Sequence, residues 1–299
     1  MTEDVKEVYR VSVKSIAVNL FLFASKLVFG LIIRSVSLVS DAFHSLSDIL
    51  STIVVMLGVK MSAKPEDTCH PYGHEKIETV VAFLLGIMLA GIGLGIGYEG
   101  ILRAASPVPM IQSPVLNAIA AFTALLSIAS KEWMYRFTIR CANKLNCGAL
   151  RADAWHHRAD AFSSIGSLVG VIGLWMGYRI IDTIACVVIA VFICKAAYDI
   201  ISDSCRRLVD GRVSDGVVEH IRKLALSYPQ VLGIDVIKAR SYGSKVYVDL
   251  EITMDKDLSL EQSHHVASLL HDAVEARIAN IKHCMIHVNP SGLSGHHHI

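Results

Sequence analysis

Charge is what this sequence has least of. Of 299 residues, 18% are Asp, Glu, Lys or Arg and 53% are hydrophobic, where a soluble domain carries about a quarter charged. Mean hydropathy is +0.49. The deficit points away from a soluble domain and toward a membrane protein. Neither sign is in excess: 28 basic against 27 acidic residues leave a net charge of +1, so nothing global argues for a nucleic-acid partner. None of the seven cysteines forms a C-x-x-C pair. They read as small core residues or reduced thiols rather than a disulfide framework. The zinc-protease signature H-E-x-x-H is absent. The opening MTEDVKEVYR is acidic and basic by turns, unlike a secretory signal, which joins a basic start to a short apolar segment.

Long apolar runs are what the chain does have. Six reach the roughly 20 residues an α-helix needs to cross a bilayer, at about 15–33, 36–61, 77–104, 116–137, 149–176 and 180–201. The prolines of SPVPMIQSP, at 106–114, break the third from the fourth. Basic residues gather on one side: Lys6, Arg10 and Lys14 precede the first run, and Lys60, Lys64 and Lys76 bracket the loop between the second and third. Arg136, Arg140, Lys144 and Arg151 bracket the loop between the fourth and fifth, and Arg206 and Arg207 follow the sixth. The opposite loops hold just Arg34, Arg103 and Arg179. The rich side is expected to be cytoplasmic, with both termini there. In GIGLGIGYEG, Gly91 with Gly95 and Gly93 with Gly97 make small-x-x-x-small ridges, which let helices approach closely in lipid.

Beyond Arg207 the composition turns soluble. Residues 214–228 read as an amphipathic helix and 231–240 as a strand. Residues 245–253 alternate, with Val246, Val248, Leu250 and Ile252 on one face. Gly243 suits the turn between the strands. Ser259 and Gln262 form a capping box opening a helix to about 278, and 284–288 is a last strand. The order αββαβ predicts a small ferredoxin-like α+β domain. The expected division is a six-helix membrane domain at 1–206, a cytosolic domain at 207–290 and a His-containing tail at 291–299. The tail ends GHHHI, a weak metal scavenger or a purification remnant.

Two octapeptides carry the chemistry. DAFHSLSD at 41–48 and DAWHHRAD at 153–160 both read Asp-Ala-aromatic-His-x-x-x-Asp, and both lie in apolar runs. Helical residues four apart share a face, so His44 points with Asp48 and His156 with Asp160. An ionisable group at membrane depth costs a few kcal/mol or more and is functional by default. Two such faces brought together supply two nitrogens and two oxygens, a complete tetrahedral shell for Zn²⁺. A helix-packing hydrogen bond would account for one pair; it accounts poorly for two copies of one pattern. Asp41 and Asp153, three residues before each His, are candidates to accept from and orient His44 and His156, or to contact a neighbouring helix. His157 and Arg158 point elsewhere round the helix. Lys26, with Asn19 nearby, and Lys195, with Asp199 four residues on, read as structural.

With these residues in view the chain resembles the cation diffusion facilitator family of divalent-metal/proton antiporters. The resemblance covers six spans, the following αββαβ domain and the loop HPYGHEKIE at 70–78. It implies a transport site at His44, Asp48, His156 and Asp160. It implies a second site in the loop at Asp67, His70 and His74, with Cys69 as an extra soft ligand. A regulatory site in the cytosolic domain would match Asp235, Asp249, His264 and His287, with His265, His271 and His283 near enough to substitute. The implied partners are divalent metal ions, protons, the bilayer and a second copy of the chain, meeting through the cytosolic domain and membrane helices. No cofactor is expected beyond the transported and regulatory ion, and no enzymatic activity. Histidine in both pairs resembles the zinc-preferring branch. A carboxylate-richer set would tilt toward Mn²⁺ or Fe²⁺, and Co²⁺ and Cd²⁺ would also fit. The expected location is a bacterial plasma membrane. Two other classes compete. A diiron oxidase needs more histidines than the three in the spans, His44, His156 and His157. A metal sensor that binds without carrying would look much the same.

Overall fold

A computed structural model describes residues 3–32, 36–105, 114–175 and 180–292. Six long helices stand where six runs were expected: α1 Glu3–Ile32, α2 Val36–Ser62, α3 Lys76–Ala105, α4 Pro114–Leu145, α5 Gly148–Trp175 and α6 Ile180–Leu208. Several outrun their apolar stretch. In α1 the buried positions Val5, Val8, Ser12, Ser15, Asn19, Leu22 and Lys26 recur every three or four residues, so one inward stripe continues through a charged first third that hydropathy alone does not see. Among the described residues, α1, α2, α3 and α6 contain stretches long and apolar enough to cross a membrane. The described parts of α4 and α5 are richer in charge, with Lys131, Glu132 and Arg136 on one and Arg151, Asp153, Arg158 and Asp160 on the other.

Three contacts place the charged helix ends together. Lys144 at the end of α4 pairs with Glu7 near the start of α1 at 2.7 Å. Arg151 near the start of α5 lies 3.7 Å from Asp203 near the end of α6. Glu78, early in α3, accepts the backbone N–H of Gly148 at 2.7 Å, satisfying one of the free amides at the start of α5. Between α4 and α5, Asn146 adopts a positive φ of 51° and Cys147 donates its N–H to Ala142 at 3.0 Å. That is the left-handed residue and back-reaching bond that end a helix sharply, and they turn α5 back alongside α4.

Of the two glycine ridges on α3, one packs. A Cβ at Gly93 would lie 2.8 Å from Cys194 Sγ, and one at Gly97 3.1 Å from Ala190 Cβ, both on α6. Gly100 extends that line, where a Cβ would fall 2.3 Å from Cys186 Cβ. Gly91 and Gly95 face open space. The linker 106–113, Arg34, Arg179, the side chain of Arg103 and the tail 293–299 lie outside the described residues.

The second compact unit begins at Arg206. It contains α7 Asp215–Leu226, β1 Val231–Tyr242, β2 Lys245–Met254, α8 Leu260–Arg277 and β3 Ile281–Pro290. The sheet order is β1-β2-β3, with β2 antiparallel to β1 and parallel to β3. Gly243, at φ +62°, makes the hairpin turn. The capping box forms as expected: Gln262 N–H donates to Ser259 Oγ at 3.2 Å and Ser259 N–H to Gln262 Oε1 at 3.0 Å. Val248, Leu250 and Ile252 are buried against Ile221 of α7 and Leu270 and Val274 of α8, while Asp249 on the opposite face is exposed.

A Gly100→Ala substitution should therefore force α3 from α6 and lower stability by about 1–3 kcal/mol, read as an earlier thermal transition in detergent. Gly95→Ala should leave the transition in place.

Candidate metal centre

The two octapeptides meet. His156 Nε2 of α5 lies 3.0 Å from Asp48 Oδ1 of α2, and His44 Nε2 of α2 lies 3.4 Å from Asp160 Oδ1 of α5. Each imidazole also faces the carboxylate on its own helix, His44 Nε2 at 4.0 Å from Asp48 Oδ1 and His156 Nε2 at 3.9 Å from Asp160 Oδ2. One ligand atom each from His44, Asp48 and Asp160 falls within 4.8 Å of the others, and His156 closes the set through Asp48. Asp48, His156 and Asp160 are buried, while the side chain of His44 is 51% exposed. The i, i+4 spacing thus does on each helix what the pattern demands, and antiparallel packing crosses the pairs.

A fifth group, passed over in reading the sequence, shares the site. Lys131 of α4 is 1% exposed. Its Nζ donates to Asp48 Oδ2 at 2.5 Å and to Asp160 Oδ2 at 2.8 Å. The signal was available, because a lysine within the fourth run is an ionisable group at membrane depth. It has no partner within its own helix and no second copy to mark it. Lys26 is likewise buried, its Nζ 3.4 Å from Ser45 Oγ and 3.3 Å from Ser127 Oγ, and it ties α1 to α2 and α4.

Asp153 does not orient His156. It accepts from Thr52 Oγ1 of α2 at 3.2 Å and lies 3.6 Å from His157 Nε2, leaving His156 Nδ1 without a hydrogen-bond partner. The reason is helical phase, since Asp153 aligns with the residue four on, His157, better than with the one three on. The side chain of Asp41 lies outside the described residues. Arg158 stacks over Tyr135 at 4.3 Å from the ring centre.

The loop residues also converge. Asp67 Oδ1 accepts from His70 N–H at 2.7 Å and Cys69 N–H at 2.9 Å, and lies 3.1 Å from His70 Nδ1. Asp67 Oδ2 is 3.3 Å from His74 Nε2. The other ring nitrogen of His74 lies 3.2 Å from the Pro65 carbonyl, the kind of contact that orients a ligating imidazole. Cys69 is exposed.

In the second unit, Asp235, Asp249, His264 and His287 are all exposed and form no three-ligand cluster among the described residues of one chain. Asp235 is engaged by Thr253 Oγ1 at 2.8 Å and Asn289 Nδ2 at 2.9 Å. The cluster that does form is His271 and Glu275 of α8 with His283 of β3. Glu275 Oε1 lies 3.2 Å from His271 Nε2 and 3.1 Å from His283 Nδ1. His271 Nδ1 donates to the Cys284 carbonyl at 2.6 Å, leaving Nε2 free to ligate. Burial, with Glu275 and Asp249 nearby, pushes the Cys284 thiol up to about 12, so that sulfur stays protonated at neutral pH and does not join the cluster.

Comparison with known proteins now bears on these sites. The family model described as the cation efflux transmembrane domain matches residues 12–209, and that of the cation efflux protein cytoplasmic domain matches 213–291. The chain belongs to the cation efflux, or cation diffusion facilitator, family, and is a divalent-metal efflux transporter of the membrane. An uncharacterized transporter, MJ0449, of Methanocaldococcus jannaschii is 34% identical, covering 95% of this chain and 99% of its own length. The manganese efflux system protein MneP of Bacillus subtilis is 30% identical over 94% and 95%. Metal tolerance protein C1 of Arabidopsis thaliana is 30% identical over 97% of this chain and 64% of its own length.

The Asp67 carboxylate is held below the ordinary range, foremost by the His70 backbone N–H, opposed by slight desolvation, and then by the His70 side chain and the Cys69 N–H. Because its folded value is depressed, its contribution to loop order is fully present above the ordinary value of about 4 and is lost as pH falls through the lowered one. The His70 amide resonance should titrate with a midpoint below about 3.9; a midpoint at or above that value would show these bonds are not made.

Proposed function

We propose that the protein exports Zn²⁺ from the cytoplasm in exchange for protons, carrying the ion between α2 and α5 on His44, Asp48, His156 and Asp160. The observation that supports this is the crossing of the two His-Asp pairs, which brings two imidazole nitrogens and two carboxylates to one place. Four donors of that kind suit a tetrahedral Zn²⁺ shell, whereas Mn²⁺ favours more oxygens in a larger shell. The name of the MneP relative makes manganese the leading rival, with iron, cobalt and cadmium behind it.

Proton exchange follows from the donors. A ligating imidazole must be neutral and a ligating carboxylate ionised, so metal and protons compete for the same atoms. Ion release on the side opposite the cytoplasm would be driven by protons taking its place, and the empty site would carry them back. The protein moves its substrate without altering it. The excess of basic residues in the loops on one side supports both termini lying in the cytoplasm. The cytoplasmic domain joins two copies of the chain and takes regulatory metal, for which His271, Glu275 and His283 supply the cluster found within one chain.

Two experiments test this reading. Proteoliposomes carrying an imposed pH gradient should take up Zn²⁺ faster than Mn²⁺ or Fe²⁺, and Asp48→Ala should reduce uptake to the protein-free background. Flux indifferent to the gradient would remove the proton coupling, and binding without flux of any of the three ions would make the protein a sensor. Separately, Glu275→Gln keeps an acceptor for the Cys284 N–H. It should lower the bound metal by one equivalent per chain while Asp48-dependent transport persists; unchanged stoichiometry would discard the cytoplasmic site.

A further inference from the structure

Lys131 divides the four carboxylate oxygens of the transport site. Its Nζ holds Oδ2 of Asp48 at 2.5 Å and Oδ2 of Asp160 at 2.8 Å. The closest imidazole contacts go to the other pair, His156 Nε2 to Asp48 Oδ1 at 3.0 Å and His44 Nε2 to Asp160 Oδ1 at 3.4 Å. The lysine comes from α4, a third helix, and its side chain is 2% exposed. We infer that Lys131 is a specificity-determining positioning residue, which confines Asp48 and Asp160 to one coordinating oxygen each and so makes the site select a small four-coordinate cation. The inference rests on the transport-site reading given above.

The physical chain is short. A carboxylate can give a metal one oxygen or two, and larger oxygen-seeking ions gain coordination number by taking both. Here either carboxylate could turn its second oxygen to the ion only by breaking a charge-assisted hydrogen bond to a buried ammonium, and such bonds are about twice as strong as neutral ones. A buried ammonium stripped of its partner is also costly. The accessible set is therefore two single oxygens and two nitrogens. Charge acts in the same direction. Two carboxylates and one ammonium leave one net negative charge, a weaker field for a divalent ion than the bare pair, so the contribution of the imidazoles grows in proportion. Nitrogen donors favour Zn²⁺ and Co²⁺ over Mn²⁺.

The test uses the full chain in detergent with Co²⁺ as a spectroscopic probe, read as a difference against Asp48→Asn to remove other sites. The unsubstituted protein should show the intense visible bands of tetrahedral Co²⁺. Lys131→Met should weaken them toward the bands of a higher-coordinate ion, and should raise the ratio of Mn²⁺ to Zn²⁺ affinity about tenfold, the scale of effect expected when a residue that holds metal ligands is lost. Lys131→Arg, which keeps the charge and both donors, should retain the tetrahedral bands. If Lys131→Met weakens both ions equally and leaves the band shape alone, the lysine merely balances charge and the inference falls. Should that variant fail to fold, Lys131→Gln, with a neutral amide in place of the ammonium, is read by the same two criteria. An Asp48→Asn spectrum identical to that of the unsubstituted protein would instead overturn the transport-site reading itself.

Discussion

The structure is organised around the cost of placing charge where water is scarce. Two carboxylates, two imidazoles and an ammonium converge from α2, α4 and α5. None of them could stand alone at that depth without a penalty of several kcal/mol. Together they pair across α2, α4 and α5, and those pairs tie the three helices to one another. The sharp turn at Asn146 returns α5 along α4, and the glycine line on α3 lets α6 approach closely. A greasy chain has few specific contacts to offer, and here the polar ones supply the specificity while small residues supply the closeness.

Much of this was legible from the residues. Six apolar runs became six helices, and helical phase in the repeated octapeptide pointed to four residues that the fold brings together. What the sequence withheld has physical reasons. Lys131 acts across helices, so no spacing within its own helix announces it, and only its depth in the fourth run marked it. For Asp153 two readings stood open, orienting His156 or contacting a neighbouring helix, because offsets of three and four both count as the same face; the hydrogen bond from Thr52 of α2 favours the second. In the cytoplasmic domain, Asp235, Asp249, His264 and His287 lie apart within one chain. His271 and Glu275, four apart on α8, meet His283 only because β3 runs beside that helix.

The bond between Glu78 and Gly148 joins two sites that otherwise share no residue. Glu78 sits one helical turn past His74, at the root of the 66–74 turn, and it grips the first amide of the rod that carries His156 and Asp160. Axial travel of α5 must either break that grip or drag the root of the turn with it. The position of the 66–74 turn and the height of His156 and Asp160 are thus one mechanical coordinate, with the Glu78 carboxylate as its linkage pin.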